Sequence, residues 1–106
     1  MAKEFLYRIK PTRLDMLRTG PTPEEAHATQ EHFAYVRDGV REGRVLLAGR
    51  TLTADPETFG VVIFRADSEE EAQRFMASDP AVVASVMNAE LFPFRVALLA
   101  DAWPRD

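Results

Sequence analysis

Cysteine is missing altogether from this chain of 106 residues, and histidine occurs only twice. Without cysteine there is no disulfide, no thiol nucleophile and no thiolate metal site, which fits a reducing compartment. Two histidines on one helix fall short of the three or four converging ligands of a zinc site, so we expect no metal. Binding of Mg²⁺ by carboxylates alone stays open, but nothing in the pattern motivates it. No phosphate-cradling glycine motif and no nucleophile elbow occurs, and we expect no cofactor.

Long apolar runs and clusters of basic residues are absent too. No run approaches the roughly 20 residues that span a bilayer, and the residues after Met1 lack the hydrophobic core of a signal peptide. With 13 basic and 17 acidic residues, the formal net charge is −4, which disfavours nucleic acid and anionic lipid as partners. We therefore expect a cytoplasmic protein that binds neither nucleic acid nor membrane.

Hydrophobic patterning predicts the elements of a single domain over residues 1–106. Apolar runs predict four strands, at residues 4–10, 44–53, 58–65 and 91–99. Capping boxes predict helices that begin after Thr22 and Ser68, and Gly43 is expected as the left-handed C-terminal cap of the first. A short helix is expected after Asp79, residues 11–22 are expected to form a loop, and Trp103 is placed in a short tail.

The order strand, helix, strand, strand, helix, strand matches the split βαβ arrangement of ferredoxin-like α+β domains. In that arrangement both helices lie on one face of an antiparallel sheet. Residues 45–48, 61–64 and 96–100 are apolar at consecutive positions, which predicts that both sheet faces are buried. Because the helices cover only one face, we expect a homodimer that packs sheet against sheet, with a pocket between the sheet and the helices of each protomer.

The first long helix carries both histidines. Apolar and small residues spaced by three and four predict that its core stripe consists of Ala26, Thr29, Phe33, Val36 and Val40. At about 100° per residue, His32 falls roughly 80° from the centre of this stripe, and His27 about 140° away. We expect His27 at the surface. His32, at the border of the stripe, is either a helix histidine satisfied by one hydrogen bond or a general base.

Asp79 precedes Pro80 at a predicted helix start, where aspartate is a preferred N-cap worth about 1 kcal/mol. A carboxylate has two oxygens, so Asp79 could also hold one ring nitrogen of His32, an arrangement that fixes the tautomer of a general base. Capping alone would explain the residue, and the two roles are compatible.

Several of these residues together carry a family resemblance. They are His32, Gly43, the run from Arg44 to Gly49, Asp79-Pro80 and Pro93-Phe94. Over the stretch from about Phe5 to Leu99, the chain resembles the YciI-like (YCII-related) family of dimeric α+β barrel proteins. The resemblance implies an active-site dyad of the histidine and the aspartate. One branch of that family dehydrochlorinates a chlorinated hydroxyhydroquinone, and other members resemble proteins encoded beside alternative sigma factors.

The chain departs from that pattern in a longer loop before the first helix and at Arg50, where many relatives have proline. The Arg50 guanidinium either holds a carboxylate or phenolate at the pocket mouth or extends into solvent. Gly49 and Phe94 are the other residues that we expect to contact the ligand. One hypothesis is a cofactor-independent enzyme that acts on a small aromatic or enolisable acid by elimination or isomerisation, with His32 as base and Asp79 as its orienter. The other is a module that binds a small molecule or a regulatory partner without catalysis.

Overall fold

The structure, a computed structural model, describes residues 2–102. In chain order its elements are strand β1 (Lys3–Pro11), helix α1 (Asp15–Thr19), helix α2 (Pro23–Arg41), strand β2 (Val45–Arg50), strand β3 (Gly60–Ala66), helix α3 (Glu69–Ala77), helix α4 (Pro80–Val83) and strand β4 (Met87–Phe94). Within these residues no helix has the length and apolar character needed to cross a membrane. Trp103 lies outside the described residues.

The four strands form one antiparallel sheet in the order β2-β3-β1-β4. Strands β1 and β2 run parallel with β3 between them, and β3 and β4 run parallel with β1 between them. Two interleaved strand–helix–strand units of this kind make the ferredoxin-like fold, the protomer fold of the dimeric α+β barrel proteins. The predicted fold class is confirmed, as is the antiparallel pairing of β2 with β3, which is interrupted by an irregularity between Val45 and Leu47.

Caps that depend only on neighbouring residues follow the sequence predictions. The side chains of Thr22 and Ser68 each accept a hydrogen bond from the backbone N–H three residues further on, at the starts of α2 and α3. Thr22 has the full capping box, whereas at Ser68 the Glu71 side chain pairs with Arg44 instead. Gly43 has a φ of 78°, the left-handed conformation that ends α2 without a Cβ clash. Asp79 caps α4 as expected.

The helix-facing side of the sheet carries an aromatic core. Tyr7, in the middle of β1, and Phe64, on the neighbouring β3, are fully buried, with ring centroids 5.7 Å apart. Phe75 of α3 lies 4.7 Å from the Phe64 ring and stacks on Tyr35 of α2 at 5.0 Å. Each buried aromatic side chain contributes about 1.5–3 kcal/mol through removal of apolar surface from water, so this cluster holds both long helices on the sheet.

The buried face of α2 is rotated by about 80° from the predicted stripe, counting 100° per residue. Its buried residues are Glu25, Ala28, Val36 and Gly39. His32 lies at the centre of this face rather than at its border, whereas Phe33 and Val40 are 64% and 51% exposed. The physical reason is close packing, because a Cβ on Gly39 would lie only 2.5 Å from Cγ2 of Val45. The helix therefore comes close to β2 at Gly39, and Phe33 and Val40 turn aside.

The segment predicted as a loop between β1 and α2 contains the short helix α1, and Arg13 anchors it. Arg13 donates from Nε and Nη2 to the two carboxylate oxygens of Glu25, at 2.9 and 2.6 Å. Glu25 also accepts from the backbone N–H of Thr22 at 2.8 Å. The hydrogen bonds from Arg13, followed by the one from Thr22, lower the pKa of Glu25 from 4.5 to about 2.

The last strand lies earlier in the chain than predicted. Strand β4 pairs with β1 from Met87, opposite Pro11, to Phe94, opposite Glu4. Because β1 begins at Lys3, a strand continuing past Phe94 would find only one further partner along β1. Residues 95–100 accordingly have no regular secondary structure, and the leucines predicted to lie in that strand, Leu98 and Leu99, are exposed.

The sheet face that points away from the helices is open and largely apolar. Its partly or largely exposed apolar residues include Leu47, Phe92 and Phe94. Arg8 and Glu90 form an ion pair across β1 and β4 on this face. Both faces of the sheet thus carry apolar residues, in agreement with the consecutive apolar positions of its strands.

Candidate active site

Asp79, placed between α3 and α4, is fully buried, and its carboxylate is the centre of a polar network. Oδ1 accepts from the backbone N–H of Ala81 at 3.0 Å, which caps α4. Oδ2 accepts from the Tyr7 hydroxyl at 2.7 Å and lies 2.7 Å from Nδ1 of His32. The two geometries considered for Asp79, helix cap and histidine partner, therefore coexist on different oxygens.

This arrangement dictates where the His32 proton lies. An ionised carboxylate can only accept hydrogen bonds, and the Tyr7 hydroxyl and the Ala81 N–H already donate to Asp79. Nδ1 of His32 must then carry a hydrogen and donate it to Oδ2. In the neutral ring, Nε2 keeps its lone pair, and it makes no hydrogen bond to any residue between 2 and 102. The histidine side chain is 18% exposed, so part of the ring is accessible.

Tyr7 is the one member of the network that sequence reasoning missed. Tyr7 shares the alternate, apolar positions of β1 with Phe5 and Ile9, which indicates that all three lie on its buried face. A buried tyrosine hydroxyl usually needs a hydrogen-bond partner. Nothing local points to Asp79, 72 residues away in the chain. Burial and then the negative charge of Asp79 raise the pKa of Tyr7 well above its ordinary value of 10.0. The hydroxyl therefore keeps its proton and remains a donor.

His32 lines a cavity of about 540 Å³ between α2 and the part of the sheet formed by β1, β2 and β3. The walls are mainly apolar and include Phe33 and Val40, the two bulky side chains that α2 turns away from the core. Four polar or charged side chains line it: Thr29, His32, Arg37 and Arg50. The Thr29 hydroxyl donates to the backbone oxygen of Glu25 at 2.8 Å, so toward a ligand it can only accept, and His32 and the two arginines are the other polar groups that line the cavity. An apolar cavity with a few convergent polar groups is typical of small-molecule sites.

The residues that the sequence analysis expects to contact the ligand lie in two different parts of the structure. Gly49 and Arg50 line the cavity. Phe94 does not, because it pairs with Glu4, whereas Arg50 is in register, through β3, with Ile9. Those two positions on β1 are five residues apart, or about 17 Å along the strand. Phe94 also lies on the open face of the sheet, so the structure does not bring it to this cavity.

His27 faces a different surface, as its predicted angle indicates. Its side chain is 74% exposed, and Nε2 lies 3.5 Å from a carboxylate oxygen of Glu31. Both residues line a larger, shallower groove of about 730 Å³ between α2 and α4. His32 does not line that groove; of the two, it lines only the smaller cavity. Nowhere in the described part of the chain do three or more His, Cys, Asp or Glu side chains converge as metal ligands do.

Comparison with known proteins adds a family and a set of folds. The family model described as the YCII-related domain matches residues 5–95. The 5-chloro-2-hydroxyhydroquinone dehydrochlorinase TftG of Burkholderia phenoliruptrix AC1100, solved in complex with 2,5-dihydroxybenzoquinone, is similar with a TM-score of 0.65 and 21% identity over 87% of this chain and 93% of that one. An uncharacterized Thermotoga maritima protein is similar with a TM-score of 0.55 and 9% identity, over 90% and 100% of the two chains. No protein with a curated description matches significantly.

Proposed function

This chain belongs to the YCII-related domain family, and on that premise we propose that it is a cofactor-independent enzyme. It removes a proton from a small aromatic or enolisable acid held in the cavity between α2 and the sheet. His32 is the general base, and Asp79 is the residue that orients it. The reaction that follows proton removal is an elimination or an isomerisation.

One observation carries this proposal: both oxygens of Asp79 accept hydrogen bonds, one from Ala81 and the other from Tyr7 and His32. Nδ1 of His32 is thereby committed as a donor, and Nε2 is left as the basic atom toward the cavity. Tyr7 is a positioning residue, because its hydroxyl holds the carboxylate and does not line the cavity. A positioned general base typically contributes about 10²- to 10⁴-fold to the rate.

The chemistry balances without a further reactant. Nε2 takes a proton from a carbon or hydroxyl of the substrate, and the electron pair left behind forms an enolate or a new double bond. In an elimination that pair expels a leaving group such as chloride. In an isomerisation, the imidazolium returns its proton to another carbon. Asp79 stabilises the imidazolium in both cases. A dehydrochlorinase of similar fold, solved with a quinone bound, agrees with a small cyclic substrate.

The proposed assembly is a homodimer in which two open sheet faces pack together. Leu47, Phe92 and Phe94 are 39–43% exposed on that face, although they alternate with residues that point to the core. An apolar face of this kind favours association, because it removes the same surface from water in both copies. Light scattering should give the mass of a dimer at micromolar concentration, and Phe92→Asp should give a monomer. Val83→Asp is the matched control, because Val83 is also exposed but lies on α4.

The base can be tested before the natural substrate is known. In D₂O, a general base exchanges the acidic carbon-bound hydrogens of an enolisable acid, and ¹H NMR follows that loss with phenylpyruvate as the probe. A chlorinated hydroxyhydroquinone, followed by chloride release, probes elimination. We expect His32→Ala to lower either rate at least 10²-fold. His27→Ala should match the wild type, because His27 lies outside the cavity.

Two outcomes would contradict the proposal. If exchange or chloride release persists unchanged in His32→Ala, the histidine is not the base. If probes bind the cavity tightly and none of them is exchanged or converted, the alternative raised by the sequence, a binding module without catalysis, is the better description.

A further inference from the structure

Arg50 lines the cavity from β2, and none of the lining residues is an aspartate or a glutamate. Its guanidinium makes no hydrogen bond or ion pair with any residue in the described range 2–102. By contrast, Arg8, Arg13 and Arg44 each form an ion pair with a glutamate. Arg50 therefore keeps its donors for a ligand, and the paired donors of a guanidinium match the two oxygens of a carboxylate.

The strand register places Arg50 close to the row of side chains that holds His32. Tyr7 and His32 contact the same carboxylate oxygen. Tyr7 is in register, through Val62, with Ala48. Arg50 lies two residues beyond Ala48, so it belongs to the next row on the same, helix-facing side of the sheet. Two residues of a strand correspond to about 7 Å.

The position of α2 on the sheet gives the same level for Arg50. The helix approaches β2 where a Cβ on Gly39 would meet Val45, and from there both elements lead away from the turn that joins them. His32 lies seven residues before Gly39, or about 10 Å along the helix axis. The pairing with β3 puts Arg50 four residues beyond the level of Val45, or about 13 Å along the sheet. Arg50 is thus level with the turn of α2 between Thr29 and His32.

His32 and Arg50 also lie on facing walls of the cavity. His32 is at the centre of the buried face of α2, and Arg50 is on the side of the sheet that faces the helices. Arg37, the other lining arginine, is rotated by about 140° from His32 around the helix axis and lies only two residues before Gly39. Arg37 therefore belongs to the rim at the opposite end, and Arg50 is the arginine at the His32 end.

The remaining walls of the cavity are apolar, apart from Arg37 on the rim. Val36 and Val40 line it from α2, on the side of His32 that leads toward Gly39. Polar groups are thus collected at one end of the cavity and apolar side chains at the other. A ligand with a compact acid group and an apolar body matches this division.

We propose that Arg50 is the specificity-determining residue of this site and holds the carboxylate of the substrate at the His32 end of the cavity. The proton that His32 removes then lies on a carbon close to the carboxylate, as in a 2-oxo acid, and the apolar body points toward Val36 and Val40. Nε2 takes the proton, the electron pair left behind forms an enolate, and the Arg50 cation stabilises the added negative charge. This inference rests on the proposed function for the reaction, whereas binding of the acid by Arg50 can be measured without turnover.

Calorimetric titration with two matched probes tests the preference for an anion. We expect phenylacetate to bind at least tenfold more tightly than phenylacetamide, which has the same shape but no charge. Arg50→Gln should remove most of this preference, and Arg50→Lys should keep part of it, because lysine has the charge without the paired donors. Arg41→Gln is the control, because Arg41 lies at the end of α2 and does not line the cavity.

Nuclear Overhauser effects test the orientation of the bound acid. The methylene protons of phenylacetate lie next to its carboxylate, so they should give cross-peaks with the imidazole protons of His32. The ring protons of the probe should give cross-peaks with the methyl groups of Val36 and Val40. The reverse pattern would overturn the placement of the acid group at the His32 end.

The same titration in His32→Ala separates this inference from the proposed function. The preference for the acid over the amide should survive there, even if the histidine proves to have no catalytic role. Equal binding of acid and amide by the wild type, an undiminished preference in Arg50→Gln, or no binding of either probe at millimolar concentration would overturn the role of Arg50. Loss of the preference in Arg37→Gln instead would overturn it too, because the acid would then lie at the opposite end of the cavity.

Discussion

Tyr7 and His32 share one atom, Oδ2 of Asp79, which lies 2.7 Å from the hydroxyl of the first and from Nδ1 of the second. The shared acceptor joins the central strand of the sheet to α2 at the start of α4. The orientation of a side chain that lines the cavity is thus fixed by a tyrosine that is itself buried in the core. Removing either donor should change the surroundings of the other.

Asp79→Asn should alter the tautomer of His32 while leaving the cap largely in place. Asparagine keeps one oxygen for the N–H of Ala81, but its amide nitrogen then meets Tyr7 and His32 as a donor. We expect His32 to shift toward the tautomer protonated at Nε2, which ¹⁵N NMR of the imidazole distinguishes. Exchange of phenylpyruvate should fall by about 10²- to 10⁴-fold.

Asp38→Asn supplies the control for this variant, because Asp38 is an exposed aspartate on the same helix as His32. An unchanged Nδ1–H tautomer in Asp79→Asn would contradict the assignment of the aspartate as the residue that orients the base.

Tyr7→Phe should lower the free energy of unfolding near neutral pH and leave the affinity for cavity ligands nearly unchanged. The variant removes one hydrogen bond to a buried charged group, worth about 1.5–3 kcal/mol. Urea unfolding measures the loss, and titration with phenylacetate measures the affinity. A large loss of ligand affinity without a loss of stability would show that Tyr7 acts in the cavity instead.

The same tyrosine should make the fold sensitive to alkali. Its pKa is raised in the folded state, chiefly by burial, so its stabilising contribution is complete below its ordinary pKa of 10.0 and is lost as the pH rises above that value. Each such group adds a slope of up to about 1.4 kcal/mol per pH unit. Unfolding between pH 9 and 11 should show a shallower decline for Tyr7→Phe than for the wild type.

Tyr35→Phe is the comparison for that experiment. Burial and then the charge of Asp79 also raise the pKa of Tyr35, but its hydroxyl donates to the backbone oxygen of Phe75. In Tyr35→Phe, the free energy of unfolding should still fall with rising pH by the amount that Tyr7 contributes. If both variants follow the wild-type curve, neither tyrosine is responsible.

Glu25 should contribute to the loss of stability of the fold at acidic pH. Its pKa is lowered from 4.5 to about 2, first by the hydrogen bonds from Arg13. A group with a lowered pKa stabilises the fold above its unfolded value, and that stabilisation is lost as the pH falls toward 2. We expect Glu25→Gln to be less stable than the wild type at pH 7 and the difference to shrink between pH 4.5 and 2. Glu24→Gln, one residue away and exposed, should follow the wild-type dependence.

Gly39→Ala should destabilise the protein although alanine favours helices. The new Cβ would lie 2.5 Å from Cγ2 of Val45, and relieving such an overlap in a packed core costs about 1–3 kcal/mol. The gain in helix propensity offsets up to about 1 kcal/mol of it. Thermal unfolding should show the loss, and Gly39→Ala should cost less in a Val45→Ala background. Equal costs in both backgrounds would show that the two residues are not in energetic contact.

Local signals predicted this fold well, whereas contacts between distant elements were beyond the sequence. Caps at Thr22, Gly43 and Asp79 depend on a few neighbouring residues, and each is found where its residue type indicates. The facing of α2 was mispredicted because hydrophobicity alone places Phe33 in the core. The close approach of Gly39 to Val45 instead turns Phe33 aside and places His32 at the centre of the buried face.

The site was predicted in part for the same reason. His32 and Asp79 stand out by their types and by the family resemblance, and the fold does bring them together. Tyr7 was missed because its partner, Asp79, lies 72 residues away in the chain. Only the packing of the helices on the sheet brings the two residues together. Phe94 was assigned to the ligand from the family resemblance, and a one-dimensional pattern does not tell which end or face of a sheet a residue occupies.

Phe33 and Val40 form the wall of the cavity but not the support of the fold, because α2 turns them away from the buried face that holds His32. Substitutions at these two positions would therefore change the shape offered to a ligand at little expense in stability. Laboratory evolution could explore new substrates by varying this wall alone. The same division gives natural relatives a route to diverge in specificity while the buried pair of histidine and aspartate stays in place.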